Sequence, residues 1–246
     1  ATVRLHGETF DEARALASDL AQQHDYRLLS AFDDPDVIAG QGTVGLELGA
    51  LAPDVVIVPI GGGGLASGIA LALHSQGVRI VGAQVDGVDA MAQVLAGKQT
   101  LSEPRATLAD GVRVKVPGEI TRCVLRELLD DVVVVREAEL RETLVRLALE
   151  EHVIAEGAGA LALAAGRRVV GKRKCAVVSG GNIDAALLAQ LLCDVRTRAP
   201  RRPRRRVRSS AEDVIGKTLT LPQPATTPTP ASPSPEPVRS RSEACA

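Results

Sequence analysis

The chain has 246 residues, is 45% apolar and 24% charged, and carries a formal net charge of −1. That length allows one large or two modest domains, and the core must be built from aliphatic side chains because only Phe10, Phe32 and Tyr26 are aromatic. So few aromatics argue against a stacking platform for single-stranded nucleic acid, and no run is long or apolar enough to span a membrane. Cys123, Cys175, Cys193 and Cys245 show neither paired metal spacing nor a dense disulfide framework, the usage expected of a reduced, cytoplasmic protein. Nothing at the N-terminus resembles a signal peptide. The first residue is Ala1 and the chain opens within a strand-like segment, so an N-terminal truncation is expected.

Residues 1–5 alternate like a strand. Thr9, Phe10, Asp11 and Glu12 then lead an amphipathic helix to about Gln23, with Phe10, Ala13, Leu16 and Leu20 at helical spacing. Residues 27–30 read as a second short strand, in a βαβ piece too small to bury its own sheet. Residues 33–36 are turn chemistry with Pro35 suited to a first helical turn, and the helix continues through Leu48 despite Gly40, Gly42 and Gly45. Each glycine costs a helix about 0.5–1 kcal/mol against alanine, so close packing of this helix on a sheet is expected. Gln41, within it, is not assigned a catalytic role.

The most informative stretch is residues 54–68, DVVIVPIGGGGLASG. Residues 55–60 form a β-branched apolar run that reads as a strand buried on both faces. Gly61, Gly62, Gly63 and Gly64 follow, and Leu65 opens a helix to about His74. A strand, a glycine loop and a helix start expose unpaired backbone N–H groups at a positive helix end, which makes an anion site rather than a bare turn. The spacing matches neither G-x-x-x-x-G-K-[ST] nor G-x-G-x-x-G, so a small phosphorylated cofactor is expected instead of a nucleotide.

Residues 78–83 are another buried strand, leading to a loop over residues 84–89. Asp86 and Asp89 there are read as solvated turn residues in preference to a cation site. A short helix follows over 91–96, a turn over 108–112 and a helix over 117–129. Residues 131–135 (DVVVV) read as a strand, and a long helix runs from Glu137 to about His152, whose cation suits the helix end. Glu156 stands among small residues, EGAGAL, where another helix opens. Residues 174–178 are the last strand, and Ser179, Gly180, Gly181 and Asn182 form a second glycine-rich exit before a helix to about Leu192. Open α/β sheets keep their ligands at such strand ends, so the two exits are expected to share one. Arginines and prolines crowd residues 198–208 and residues 222–237 are low-complexity, so both are expected to be solvated and disordered.

The motifs VRLHG, FDDPDVIAGQGTVGLE, VVIVPIGGGGLASGIA, TLADG, EGAGAL and VVSGGNID, in this order, closely resemble the pyridoxal-phosphate-dependent threonine dehydratases and their relatives, the serine racemases and serine dehydratases. The resemblance implies an α/β fold of the fold-type II kind, a mostly parallel sheet with flanking helices and pyridoxal 5'-phosphate in a cleft between two domains. On this reading residues 1–31 are a remnant of the small domain, 32–195 the large cofactor-binding domain and 196–246 a disordered tail. It implies that Gly61, Gly62, Gly63, Gly64 and Leu65 hold the cofactor phosphate, that Ser179 meets the pyridine nitrogen, and that Glu156 lies near the cofactor. A neutral hydroxyl such as Ser179 leaves that nitrogen unprotonated, which suits elimination over transamination.

The implied activity is a lyase reaction on a small hydroxy amino acid, threonine or serine, giving a 2-oxo acid and ammonia, in a full-length enzyme that is a homo-oligomer. The family's Ser-x-Lys motif, with the lysine that holds the cofactor, has no counterpart at Lys98, Lys115, Lys172, Lys174 or Lys217. No catalytic lysine is therefore assigned, and the chain is expected to be inactive alone, as a fragment or as a degenerate product that keeps the cradle. Gln84 and Ala90 stand where serine racemases place a cation-binding Glu and Asp, so no metal is expected. Two alternatives remain: a serine racemase-like enzyme, and a non-enzymatic remnant whose basic tail binds a polyanion.

Overall fold

The protein is described by a computed structural model that covers residues 2–198. Four parallel strands form one sheet in the order β3-β2-β1-β4: β1 (Val55–Pro59), β2 (Arg79–Val85), β3 (Asp131–Val135) and β4 (Lys174–Ala176). Val55 stands beside Arg79 on one side and Lys174 on the other, and Val81 stands beside Asp131.

Every residue of β1 is buried. Side chains alternate along a strand, so Val55 and Ile57 join one core while Val56 and Val58 join the other. The first core packs under α6 (Glu137–Glu150) and α7 (Gly157–Ala165) through Leu140, Leu144 and Leu161. The second packs under α3 (Gly64–Leu73) and α5 (Glu119–Leu128) through Ile69, Leu73 and Leu125. Burying a Val, Leu or Ile in this way stabilises the fold by about 1.5–3 kcal/mol each, which is why an almost wholly aliphatic chain suffices.

The helix expected after Asp34 is α2 (Pro35–Gly49), with the Asp34 carboxylate accepting from the N–H groups of Asp36 and Val37. Its glycines do serve close packing, but against α3 and not against the sheet. A Cβ on Gly45 would come within 2.7 Å of that of Ala72, and one on Gly68 would strike the Ile38 carbonyl and the Gly42 nitrogen of α2. Gly40 meets nothing.

Four other expectations are corrected. Residues 2–5 and 27–30 form no strand, because no sheet edge reaches them to complete a ladder, and Val3, Leu5, Leu28 and Leu29 stay exposed. Between them α1 (Phe10–His24) forms from local signals, a reciprocal capping box of Thr9 and Glu12, and none of its residues is buried. Gln84 and Val85 belong to β2, not to the loop after it, because β3 continues to pair with them. The final helix, α8 (Ala185–Arg198), runs three residues into the stretch expected as tail. The remainder of that tail, with Lys217 and Cys245, lies outside the described residues. Among the described residues no helix is long and apolar enough to cross a membrane.

Candidate active site

The site grows from the C-terminal ends of β1 and β4, which pair side by side. Beyond Pro59 the chain turns through Ile60 to Gly63, and α3 begins at Gly64. Gly63 occupies the N-cap with φ 102°, a backbone region that L side chains rarely enter. The N–H groups of Gly61, Gly62 and Gly63 have no acceptor among the described residues. Those of Gly64, Leu65 and Ala66, in the first turn of α3, have no intrahelical one. The positive end of α3 adds to this row of donors.

No side chain could replace the glycines. A Cβ on Gly62 would enter the Phe32 ring, one on Gly61 would come within 3.0 Å of the Val112 backbone, and one on Gly64 within 3.0 Å of that of Phe32. The loop's carbonyls are held from behind. Gln84, fully buried, donates from Nε2 to the Ile60 oxygen (3.1 Å) and accepts from the Ala92 N–H (2.8 Å). Thr121, also buried, donates from its hydroxyl to the Gly62 oxygen (2.7 Å).

Ser179 and Glu156 share one cavity of about 410 Å³ with this loop, whose other walls are Phe10, Phe32 and residues 110–114. The Ser179 hydroxyl has no partner among the described residues, whereas Glu156 is committed. Its Oε2 accepts from the Asn182 N–H (3.0 Å), and its own N–H donates to the Gly180 oxygen (3.0 Å). The start of α7 is thereby locked to the turn that carries Ser179. Gly157 and Gly159 bring the backbones together: a Cβ on either would land on a carbonyl, that of Leu108 or that of Gly180. Glu137 fixes the neighbouring TLADG segment, accepting from the Thr107 hydroxyl (2.8 Å) and the Leu108 N–H (2.6 Å).

Phe32, Asp110, Val112 and Arg113 line the cavity without having been singled out as site residues. For Phe32 the available signal was its being one of two phenylalanines in the chain. Asp86 faces Arg105 at 4.0 Å and Asp89 accepts from the Gln93 amide, in keeping with their reading as turn residues. His152 lies two residues past the end of α6, with φ 57°. No described lysine lines the cavity. Lys115 pairs with Glu103, Lys174 donates to the Gly166 and Val169 carbonyls at the start of β4, and Lys98 and Lys172 are exposed. A second cavity, of about 440 Å³, opens beside Lys174, Arg146 and Arg167, and these three cations are taken up in ion pairs and carbonyl contacts.

The parallel α/β sheet thus brings a glycine loop with unpartnered amides and the Ser179 hydroxyl to one cavity at its strand ends. A family model described as "Pyridoxal-phosphate dependent enzyme" matches residues 1–180, and the chain belongs to that family. It is 41% identical over 202 residues to the catabolic L-threonine dehydratase TdcB of Escherichia coli strain K12, covering 78% of this chain and 61% of that protein. It is 40% identical to the L-threonine ammonia-lyase of Thermotoga maritima, covering 78% of this chain and 50% of that one. Among solved structures, a threonine deaminase from the organism abbreviated T.th. superposes with a TM-score of 0.67 at 38% identity, covering 75% of this chain and 64% of that one. Maize serine racemase does so with 0.66 at 32% identity, covering 76% and 62%. The fold is the fold-type II arrangement of pyridoxal-phosphate enzymes. The chain spans 61% and 50% of the lengths of the two curated relatives.

The residues fit the cofactor at its phosphate end. The glycines, whose Cβ atoms would strike Phe32, Val112, Met91 and Thr121, let the loop pack closely on those residues, and its unpartnered amides are the donors that phosphate oxygens accept from.

Proposed function

We propose that this chain carries the cofactor-binding half of a threonine or serine ammonia-lyase site, in which a small hydroxy amino acid becomes a 2-oxo acid and ammonia. The observation that carries the reading is the meeting of Gly61, Gly62, Gly63, Gly64 and Leu65 with Ser179 and Glu156 in one cavity. The names of the relatives, threonine dehydratase and threonine ammonia-lyase, support the reaction class. We assign residues 32–195 to the cofactor-binding domain and the segment before them to a remnant of the smaller one. Three free cysteines among the described residues suit a reducing compartment, the cytoplasm.

The bound cofactor would supply the electron withdrawal that makes the substrate's Cα proton removable and its β-hydroxyl a leaving group. The chain's own residues bind and orient. Amides of the glycine loop and the first turn of α3 would hold the phosphate. The Ser179 hydroxyl would offer the pyridine nitrogen one neutral hydrogen bond, a partner that does not require that atom to be protonated. Glu156 and Gly180 fix the turn on which Ser179 sits. The Phe32 ring packs against the loop and keeps water from its outer side.

Covalent chemistry at the carbonyl needs a lysine amine within the cavity, and no described lysine is there. The isolated chain is therefore expected to bind pyridoxal phosphate reversibly without turning over threonine. The test is a titration of the purified chain with pyridoxal phosphate, competition by inorganic phosphate, borohydride reduction, and an assay of 2-oxobutanoate after adding threonine. Phosphate-competed binding is expected, with no reduction-stable attachment to a lysine and no product. Absence of competition overturns the cradle assignment; turnover overturns the incompleteness.

A further inference from the structure

We infer that Thr121 is a positioning residue for anion binding, one that aims the Gly63 amide at the ligand from behind the glycine loop. The inference rests on the phosphate reading of that loop and concerns a residue outside the cavity lining. In a trans peptide the carbonyl of one residue and the N–H of the next point in opposite directions. Thr121 Oγ1 takes the Gly62 oxygen at 2.7 Å, and the Gly118 N–H reaches the same oxygen from a second direction at 3.4 Å. With that oxygen pinned toward α5, the Gly63 N–H of the same peptide is turned away from α5. A Cβ on Gly63 would come within 2.9 Å of the side chains of Thr121 and Met91, so the loop lies flat against these two residues. The Gly63 N–H meets no acceptor among the described residues, as a donor held for a ligand should.

Thr121 is itself held. It sits in the first turn of α5, where the Asp33 carboxylate accepts from three consecutive N–H groups, those of Glu119 (2.8 Å), Ile120 (2.9 Å) and Thr121 (3.1 Å). The Ser67 hydroxyl meets its carbonyl at 3.5 Å from within α3. Thr121 is fully buried, so its hydroxyl has no water to turn to and the Gly62 oxygen has no other side-chain donor. Without the hydroxyl, only the longer Gly118 N–H contact holds the Gly62 oxygen, and more of the amide's orientation would have to be fixed at the moment of binding.

The test compares the full chain with Thr121→Val, which keeps the shape, and Thr121→Ser, which keeps the hydroxyl. Pyridoxal phosphate, inorganic phosphate and phosphate-free pyridoxal are the probes. The valine variant is expected to bind the two phosphate-bearing probes about tenfold more weakly, about 1.4 kcal/mol, and pyridoxal within about twofold, with the serine variant restored. A uniform loss across all three probes, or none, overturns the inference. On the unsubstituted chain, the Gly63 amide resonance is expected to move when phosphate is added. If Gly64 and Leu65 respond while Gly63 stays fixed, the inference fails even where the valine variant does not fold. If the unsubstituted chain binds neither phosphate-bearing probe, the phosphate reading falls and takes the inference with it.

Discussion

The backbone amide of Asn182 donates to the carboxylate of Glu156 across 3.0 Å, which joins the last strand's exit to the start of α7. The bond is charge-assisted but exposed to solvent, so its loss costs about 0.5–1.5 kcal/mol. Glu156→Ala is expected to lower stability by that amount in urea unfolding. Glu156→Gln, whose amide oxygen can still accept, is expected to keep most of it. Equal losses in the two variants would show the carboxylate to act elsewhere.

In the site proposed above Ser179 and Gly63 would serve opposite ends of the same ligand, and their variants are expected to separate. Ser179→Ala removes one neutral hydrogen bond and should weaken pyridoxal phosphate about three- to tenfold while leaving inorganic phosphate unchanged. Gly63→Ala forces a side chain into the left-handed backbone region at about 1–2 kcal/mol and should weaken both. Equilibrium dialysis with each ligand makes the comparison.

The glycines of α2 and α3 give a contrast of sign. Gly40 is helical and open to solvent, so Gly40→Ala is expected to stabilise the fold by about 0.5–1 kcal/mol. Gly68→Ala drives a methyl into α2 backbone and is expected to cost about 2–4 kcal/mol or to prevent folding. Thermal melts of the two variants should move in opposite directions.

Glu139 governs an acid-sensitive contribution. Hydrogen bonds from the Arg136 side chain and backbone, joined by Arg168, hold its carboxyl down at about 2 against the usual 4.5. Arg168 also donates to the Val134 carbonyl, so this pair ties the end of α7 to β3. A depressed carboxyl contributes its full stability above the unfolded value and loses it as pH falls through the folded one. Stability is therefore expected to fall between pH 4.5 and 2 by about 1–2 kcal/mol after solvent screening. Glu139→Gln should be less stable at pH 7 and show a flatter acid limb in pH-dependent melts.

The parallel sheet and its helices were legible because their signals are local: β-branched runs such as VVIVP, capping residues such as Asp34, and glycines after strands. The glycine loop was legible for the same reason, since Gly61 to Gly64 are contiguous in the chain. What the sequence hid depends on distant partners. Whether residues 27–30 become a strand is decided by a neighbouring edge, and no periodicity reports that. Asp33 and Thr121 meet across 88 intervening steps of chain, and Glu156 reaches its turn across 26, so their roles emerge only from the packed backbone. Gln84 reads as an ordinary polar residue until its two amide atoms are seen holding β1 and α4 (Ala90–Leu95) together.

Helix α1 carries a consequence for amide exchange. It is well capped, yet it buries nothing, and its ties to the sheet domain are the Phe10–Phe32 ring contact at 5.6 Å and the Asp11 carboxylate on the Lys115 N–H at 3.3 Å. A 15-residue helix without a buried face is only marginally stable in water. Its amides are thus expected to trade with deuterium at a small fraction of the free energy that guards β1. Because Phe10 is a wall of the cavity, each such opening widens the mouth above the glycine loop while the sheet beneath stays intact.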